Sequence, residues 1–129
     1  MMVPLLSLPV SLDPICRLLA SGRFDLTTEK AAQVDIHGLL IAMLPPGFDV
    51  EREARLSAGD IPDFLIAGQV VVEIKISRSS NVDTLRQLVR YAAHDKVRSL
   101  ILASNRAVGV PREINGKPAR FVSLGRAWL

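Results

Sequence analysis

The spacing of apolar residues in the first third of the chain predicts two helices. Over residues 28–43, apolar side chains recur at intervals of three and four, which is typical of an amphipathic helix. A threonine at position 27 or 28 can cap this helix, and two prolines and a glycine follow it. A shorter helix is predicted over residues 11–21, because Pro14 suits a first helical turn.

Three strand-like runs follow, over residues 48–56, 61–66 and 69–77. The first alternates apolar and polar positions, and the third is rich in β-branched residues, as a central strand usually is. Turn-forming residues separate the runs at 57–60 and at Ala67-Gly68. The pattern therefore predicts three consecutive strands joined by short turns.

The second half of the chain predicts a helix followed by two more strands. The helix covers residues 82–95, a buried strand 97–104, a loop 105–111 and a last strand 119–124. The apolar stripe of this helix is predicted to consist of Val82, Leu85, Leu88, Val89 and Ala92. The order of the main elements is α-β-β-β-α-β, so we expect an α/β fold with a mixed sheet flanked by helices.

Three charged residues, Asp63, Glu73 and Lys75, interrupt the apolar strands. Glu73 and Lys75 are two positions apart, so they share one face of their strand. Asp63 joins that face only if the loop after Ile66 is three residues long, which places Asp63 opposite Glu73. Glycine at position 68 suits such a loop, since the loop needs a residue with positive φ. We therefore predict that two carboxylates and an ammonium group share one small area of the sheet.

Two neighbouring carboxylates repel each other, and a divalent cation removes this conflict. Mg²⁺ and Mn²⁺ prefer oxygen ligands, so Asp63, Glu73 and the backbone carbonyl of Ile74 are the predicted metal ligands. Lys75 would position a water molecule or stabilise developing negative charge. The alternative is that Asp63, Glu73 and Lys75 form only a structural ion cluster at the edge of a sheet.

The sequence Pro62-Asp63, then nine residues, then Glu73-Ile74-Lys75, resembles the signature of the PD-(D/E)xK nuclease superfamily. The predicted element order also resembles the restriction-endonuclease-like core of that family. The resemblance covers about residues 28–104 and implies that Asp63 and Glu73 hold a metal ion and that Lys75 is the catalytic lysine. It also implies one nuclease domain over residues 1–129.

Two further matches concern the helices on either side of this motif. The family often has a glutamate on its first core helix, and Glu29 is the candidate, although the helix dipole alone also favours a glutamate there. Glu51 and Glu53 are the alternatives. Gln87 and Tyr91 are four residues apart on one helix face and resemble the Gln-x-x-x-Tyr element of RecB-type nucleases, which borders the active site. An amphipathic helix edge would explain the same pair.

The formal net charge of +3 permits binding to nucleic acid without demonstrating it. Arg78, Arg86 and Arg90 follow the motif and are candidates for phosphate contacts, although a solvated helix face would also place arginines there. The chain has one cysteine and no apolar run of membrane-spanning length, so we expect no membrane association and a cytoplasmic or nucleoid-associated protein.

The function predicted from these features is Mg²⁺- or Mn²⁺-dependent hydrolysis of phosphodiester bonds, with DNA favoured as the substrate. The small size of the core points to a junction-resolving, structure-selective or repair-type endonuclease that could act as a homodimer. The alternative is a catalytically inactive module of the same fold that binds nucleic acid or another protein.

Overall fold

A six-stranded mixed sheet lies between helices in the computed structural model, which describes residues 8–76 and 81–125. The helices of this part are α1 (Asp13–Ser21), α2 (Glu29–Met43) and α3 (Asn81–Ala92). The strands are β1 (Val50–Arg52), β2 (Phe64–Ile66), β3 (Val70–Lys75), β4 (Ser99–Ser104), β5 (Glu113–Ile114) and β6 (Lys117–Ser123). From α2 to β4 the elements follow the predicted order α-β-β-β-α-β.

The strands lie in the order β1-β2-β3-β4-β6-β5 across the sheet. β1, β2 and β3 pair in antiparallel fashion, whereas β4 pairs in parallel with β3 and with β6. α3 connects β3 to its parallel neighbour β4, as a crossover helix does. The predicted mixed sheet is therefore confirmed.

Each face of the sheet packs against different helices. Val70, Val72 and Ile74 of β3 belong to the core that includes buried residues of α1 and α2. Val71, on the other face, belongs to the core that includes residues of α3. The alternation of side chains along β3 thus separates two apolar layers, and the odd-numbered positions face α3.

The predicted three-residue loop between β2 and β3 is confirmed. Ile66 pairs with Val70 and Phe64 with Val72, so residues 67–69 form the loop. Ala67 and Gly68 have φ angles of +54° and +67°, and the backbone N–H of residue 69 donates to the Ile66 carbonyl at 3.1 Å. This register, continued by one residue beyond β2, places Asp63 opposite Glu73.

Strands β1 and β2 are shorter than the predicted runs 48–56 and 61–66. β1 ends at Arg52 because Glu53 adopts a left-handed φ of +50°, and its N–H donates to the carbonyl of Asp63 at 2.9 Å. β2 begins only at Phe64, since Pro62 has no N–H to contribute to a ladder. The strand ends therefore leave Asp63 in a bend at the edge of the paired region.

The last part of the sheet contains a strand that the sequence pattern missed. β5 has only two residues and pairs with β6 across a turn at Asn115-Gly116, where both residues have positive φ. A two-residue strand gives no alternation to detect. The final strand covers Lys117–Ser123 rather than residues 119–124.

The predicted apolar stripe of α3 is partly wrong. Val82 and Val89 are 57% and 54% exposed, whereas Thr84, Leu88, Tyr91 and Ala92 are buried. The helix is rotated so that the tyrosine ring faces the sheet, since this large ring buries more apolar area than a valine does. No helix of the described residues is both long enough and apolar enough to cross a membrane.

Candidate active site

Glu73 and Lys75 lie on the face of β3 that points toward α3. Glu73 is 3% exposed, and its Oε2 lies 3.4 Å from Nζ of Lys75, which stays partly accessible at the end of the strand. A buried carboxylate in a central strand is costly unless it is paired or protonated. The arrangement agrees with the prediction that these two side chains share one face.

Asp63 is held against Glu73 by bonds between side chains and main chain. Oδ2 of Asp63 accepts a hydrogen bond from the Ile74 N–H at 2.7 Å. In return, Oε1 of Glu73 accepts one from the Asp63 N–H at 3.0 Å. These reciprocal bonds join the end of β2 to β3, so the structure brings Asp63, Glu73 and Lys75 together as predicted.

Burial and mutual repulsion change the protonation of the two carboxyl groups. Burial raises the pKa of Asp63 to about 6, although the Ile74 N–H and Lys75 act in the opposite direction. Burial, followed by the charge of Asp63, raises the pKa of Glu73 to about 8. The pair therefore retains a proton near neutral pH, which leaves one negative charge beside Lys75.

Helix α2 contributes two polar side chains to this area. Glu29, a predicted site residue, accepts a hydrogen bond from the Ile76 N–H at 3.3 Å, and its charge also raises the pKa of Asp63. Gln33, one turn further along, donates from Nε2 to Oδ1 of Asp63 at 3.0 Å. Sequence reasoning missed Gln33, although its position four residues after Glu29 places it on the same helix face.

The alternatives to Glu29 do not join the site. Glu51 and Glu53 are both exposed. Glu53 itself has the left-handed φ angle that ends β1. The position of Glu29 near Asp63 therefore makes it a better candidate for the site than Glu51 or Glu53.

Helix α3 contributes Gln87 and Tyr91 to the surroundings of the carboxylates. Tyr91 is 1% exposed, and Gln87 lies close enough to its hydroxyl to act on the pKa of the tyrosine. Burial is the main cause that raises the pKa of Tyr91, and the charges of Glu73 and Asp63 add to it. The tyrosine therefore keeps its proton and lies within electrostatic reach of both carboxylates.

The arginines predicted to contact nucleic acid have different surroundings. Arg86 is exposed and lies 4.0 Å from Asp83, and Arg90 forms a closer ion pair with Asp60 at 3.1 Å. Arg78 lies outside the described residues. The second carboxylate oxygen of Asp60 lies 2.8 Å from Nε2 of His94.

The site can be compared with what a divalent metal ion requires. Among the described residues, no three His, Cys, Asp or Glu side chains are grouped so that they could hold a metal ion. Mg²⁺, however, is often held by one or two carboxylates together with water and substrate oxygens. Asp63 and Glu73 meet that requirement, and their unrelieved repulsion would be reduced by a cation.

The backbone carbonyl of Ile74 is compatible with a third ligand position. The Ile74 N–H donates to Asp63, so this edge of the residue faces β2 rather than β4. In an extended strand the N–H and C=O of one residue point to the same side. The Ile74 carbonyl therefore faces the side on which Asp63 lies.

Comparison with known proteins gives no match, since no family model fits the chain and no curated protein or solved structure is significantly similar to it. The function must therefore be inferred from the residues of the site and from the motif that they form.

Proposed function

We propose that this protein is a Mg²⁺- or Mn²⁺-dependent nuclease of the PD-(D/E)xK kind that hydrolyses phosphodiester bonds, with DNA favoured. The observation that carries the proposal is the convergence of Asp63, Glu73 and Lys75 across the β2–β3 hairpin. Two buried carboxylates held against each other beside a single, partly accessible ammonium group are a ligand set that suits a divalent cation.

The arrangement of elements supports the same proposal. The order of α2, β1, β2, β3, α3 and β4 resembles that of a restriction-endonuclease-like core, with the motif residues at the end of β2 and on β3. Glu29 from α2 and the pair Gln87 and Tyr91 from α3 lie on opposite sides of the motif, at positions that suit the corresponding family elements.

Each residue of the proposed site has a distinct chemical task. Asp63, Glu73 and the Ile74 carbonyl would hold a cation that supplies a Lewis acid for the phosphate and a water of lowered pKa. Lys75, which is partly accessible, would stabilise negative charge that develops on the phosphate or orient the attacking water. Gln33 fixes the orientation of Asp63, and the buried Tyr91 of α3 lies within electrostatic reach of both carboxylates.

Cleavage of plasmid, linear and branched DNA, and of RNA, tests this function in Mg²⁺, Mn²⁺ and EDTA. We expect metal-dependent cleavage by the wild type and a loss of about 100-fold in Lys75→Ala, since a single electrostatic group at a transition state has this order of effect. The matched control is Lys96→Ala, which removes the same charge from an exposed position and should leave the rate unchanged. Equal rates in Lys75→Ala and the wild type would show that the cleavage originates elsewhere.

Metal binding and DNA binding separate the proposed enzyme from an inactive module. Calorimetric titration with Mn²⁺ should detect binding in the wild type and a strong loss in Asp63→Ala. DNA binding without metal binding or cleavage would favour a nucleic-acid-binding module, and absence of all three would leave the structural ion cluster.

Sedimentation of the protein with branched DNA would also test the expected homodimer and the structure-selective mode of action.

A further inference from the structure

A stripe of polar side chains runs along α2 away from the carboxylate pair. Glu29, Gln33 and His37 follow one another at intervals of four residues and therefore share one face of the helix. The first two contact the backbone of Ile76 and the side chain of Asp63. His37 continues the stripe toward the edge strand β1.

The ring of His37 lies beside a second basic group. It stacks on Phe64 with a centroid separation of 5.9 Å and an interplanar angle of 21°. Phe64 is the direct pairing partner of Arg52 on β1, so the two side chains lie next to each other on the same face of the sheet. Burial and then the positive charge of Arg52 lower the pKa of His37, which agrees with their proximity.

This pair of basic groups lacks an acidic partner in the part of the chain that the structure describes. No carboxylate oxygen of residues 8–76 or 81–125 lies within 4.0 Å of the Arg52 guanidinium or the His37 ring. Glu51, the neighbour of Arg52, belongs to the opposite face of its strand and pairs with Leu65.

A comparable pair elsewhere in the molecule shows what such groups can bind. Arg90 and His94 on and just after α3 contact the two oxygens of one carboxylate, that of Asp60, at 3.1 and 2.8 Å. His37 and Arg52 offer the same two donor types, and both side chains are half-buried. A tetrahedral phosphate has the charge and the acceptor oxygens to occupy this position.

We propose that His37 and Arg52 form a phosphate subsite on the α2 side of the sheet that holds a backbone phosphate of the bound nucleic acid. The inference rests on the proposed nuclease function, because it takes Asp63 and Glu73 as the place of the scissile phosphate. His37 lies four residues beyond Gln33, a helix rise of about 6 Å.

Binding of a fluorescently labelled DNA duplex in EDTA tests the subsite without requiring catalysis. We expect Arg52→Gln to weaken binding about tenfold, as the loss of a charged hydrogen bond does, and to reduce the slope of log K against log salt by about 1. Arg52→Lys should keep the salt slope near that of the wild type. Thermal unfolding of each variant shows that the fold is retained.

The matched control is Arg112→Gln, which removes the same charge from an exposed residue beside β5, at the opposite edge of the sheet from β1. Its affinity should stay within about twofold of the wild type. Equal weakening in Arg52→Gln and Arg112→Gln would overturn the subsite and leave only a general effect of charge.

Two parallel measurements distinguish failure of the subsite from failure of the nuclease proposal. Metal-dependent cleavage by the wild type with unaltered DNA binding in Arg52→Gln would overturn the subsite alone. Weakened DNA binding in Arg52→Gln without cleavage by the wild type would support the phosphate contact and overturn the enzyme. Inorganic phosphate should also shift the His37 ring resonances in NMR spectra of the wild type, but not in those of Arg52→Gln. If phosphate causes this shift and the protein does not bind the DNA duplex, the assignment of the subsite to nucleic acid is overturned.

Discussion

At the scale of single residues, the candidate site depends on hydrogen bonds that cross between side chain and main chain. Asp63 and Glu73 each accept from a backbone N–H of the strand region that carries the other, so neither carboxylate can rotate freely. Gln33 adds a donor to the remaining oxygen of Asp63. Hydrogen-bond partners behind a metal ligand usually orient it, and this gives Gln33 a positioning role.

We expect Gln33→Leu to reduce Mn²⁺ affinity by about tenfold or more, because Asp63 loses the donor that fixes Oδ1. The accompanying loss of unfolding free energy should be about 1 kcal/mol, the usual net contribution of one hydrogen bond. Calorimetric titration and thermal unfolding measure the two effects. Lys30→Leu, at an exposed position of the same helix, is the control, and an unchanged affinity in Gln33→Leu would contradict the positioning role.

At the scale of elements, the β2–β3 hairpin decides whether the site exists. A loop one residue shorter would turn Asp63 to the α2 face of the sheet, since side chains alternate along a strand. Residues 67–69 prevent this by combining two consecutive left-handed φ angles with the bond from residue 69 to Ile66. The convergence of Asp63 with Glu73 therefore depends on the conformation of a loop that carries none of the motif residues.

Gly68→Ala should lower the unfolding free energy by about 1 to 2 kcal/mol, because an L-residue with a side chain is strained at positive φ. No atom lies within 4 Å of the added Cβ, so the expected cost comes from the backbone rather than from a clash. The matched control is Gly59→Ala, where no positive φ and no close contact occur and the change should stay within about 0.5 kcal/mol. Denaturant unfolding of both variants measures the difference, and equal stabilities would contradict strain at position 68.

The rotation of α3 gives a second test at this scale. Leu88 is fully buried, whereas Val89 is 54% exposed. We expect Leu88→Ala to cost about 2 to 5 kcal/mol through loss of packing, and Val89→Ala to cost less than about 0.5 kcal/mol. Similar costs for both, measured by urea unfolding, would support the stripe predicted from sequence instead of the observed orientation.

At the scale of the whole molecule, acidic groups with opposite pKa shifts shape the dependence of stability on pH. The hydrogen bond with His94 is the main cause that lowers the pKa of Asp60, so its stabilisation is present above about pH 4 and is lost in acid. Asp63 and Glu73 have raised pKa values, so they favour folding in acid, and this contribution is lost as the pH rises through about 6 and 8. Taken together, these three groups favour folding most in mildly acidic solution.

In EDTA, the melting temperature of the wild type should therefore fall as the pH rises from about 5 to 8.5. Mn²⁺ should reverse much of this fall at the upper end, because a cation binds the ionised carboxylates. Glu73→Gln, which cannot ionise, should flatten the curve over the same interval. A wild-type curve that stays level between pH 5 and 8.5 in EDTA would contradict the raised pKa values of the pair.

Local signals in the amino-acid sequence determined which elements form and where the motif residues lie on them. Helical periodicity located α2, and Thr28 does accept from the Ala31 N–H at 3.0 Å as its predicted cap. The spacing of Glu73 and Lys75 on one strand settled their common face, and glycine at position 68 predicted the loop that turns Asp63 toward them. These features depend on neighbours within a few residues, so they can be read from the chain itself.

Only the tertiary structure decided the ends of the strands, the rotation of α3 and the partners of the site residues. β1 stops at Arg52 because Glu53 bonds to Asp63, ten residues away, and periodicity within one segment contains no such information. Gln33 meets Asp63 across 30 residues, and Asp60 meets His94 across 34. Such contacts arise from the packing of whole layers against one another, in which the burial of large side chains such as Tyr91 outweighs local pattern.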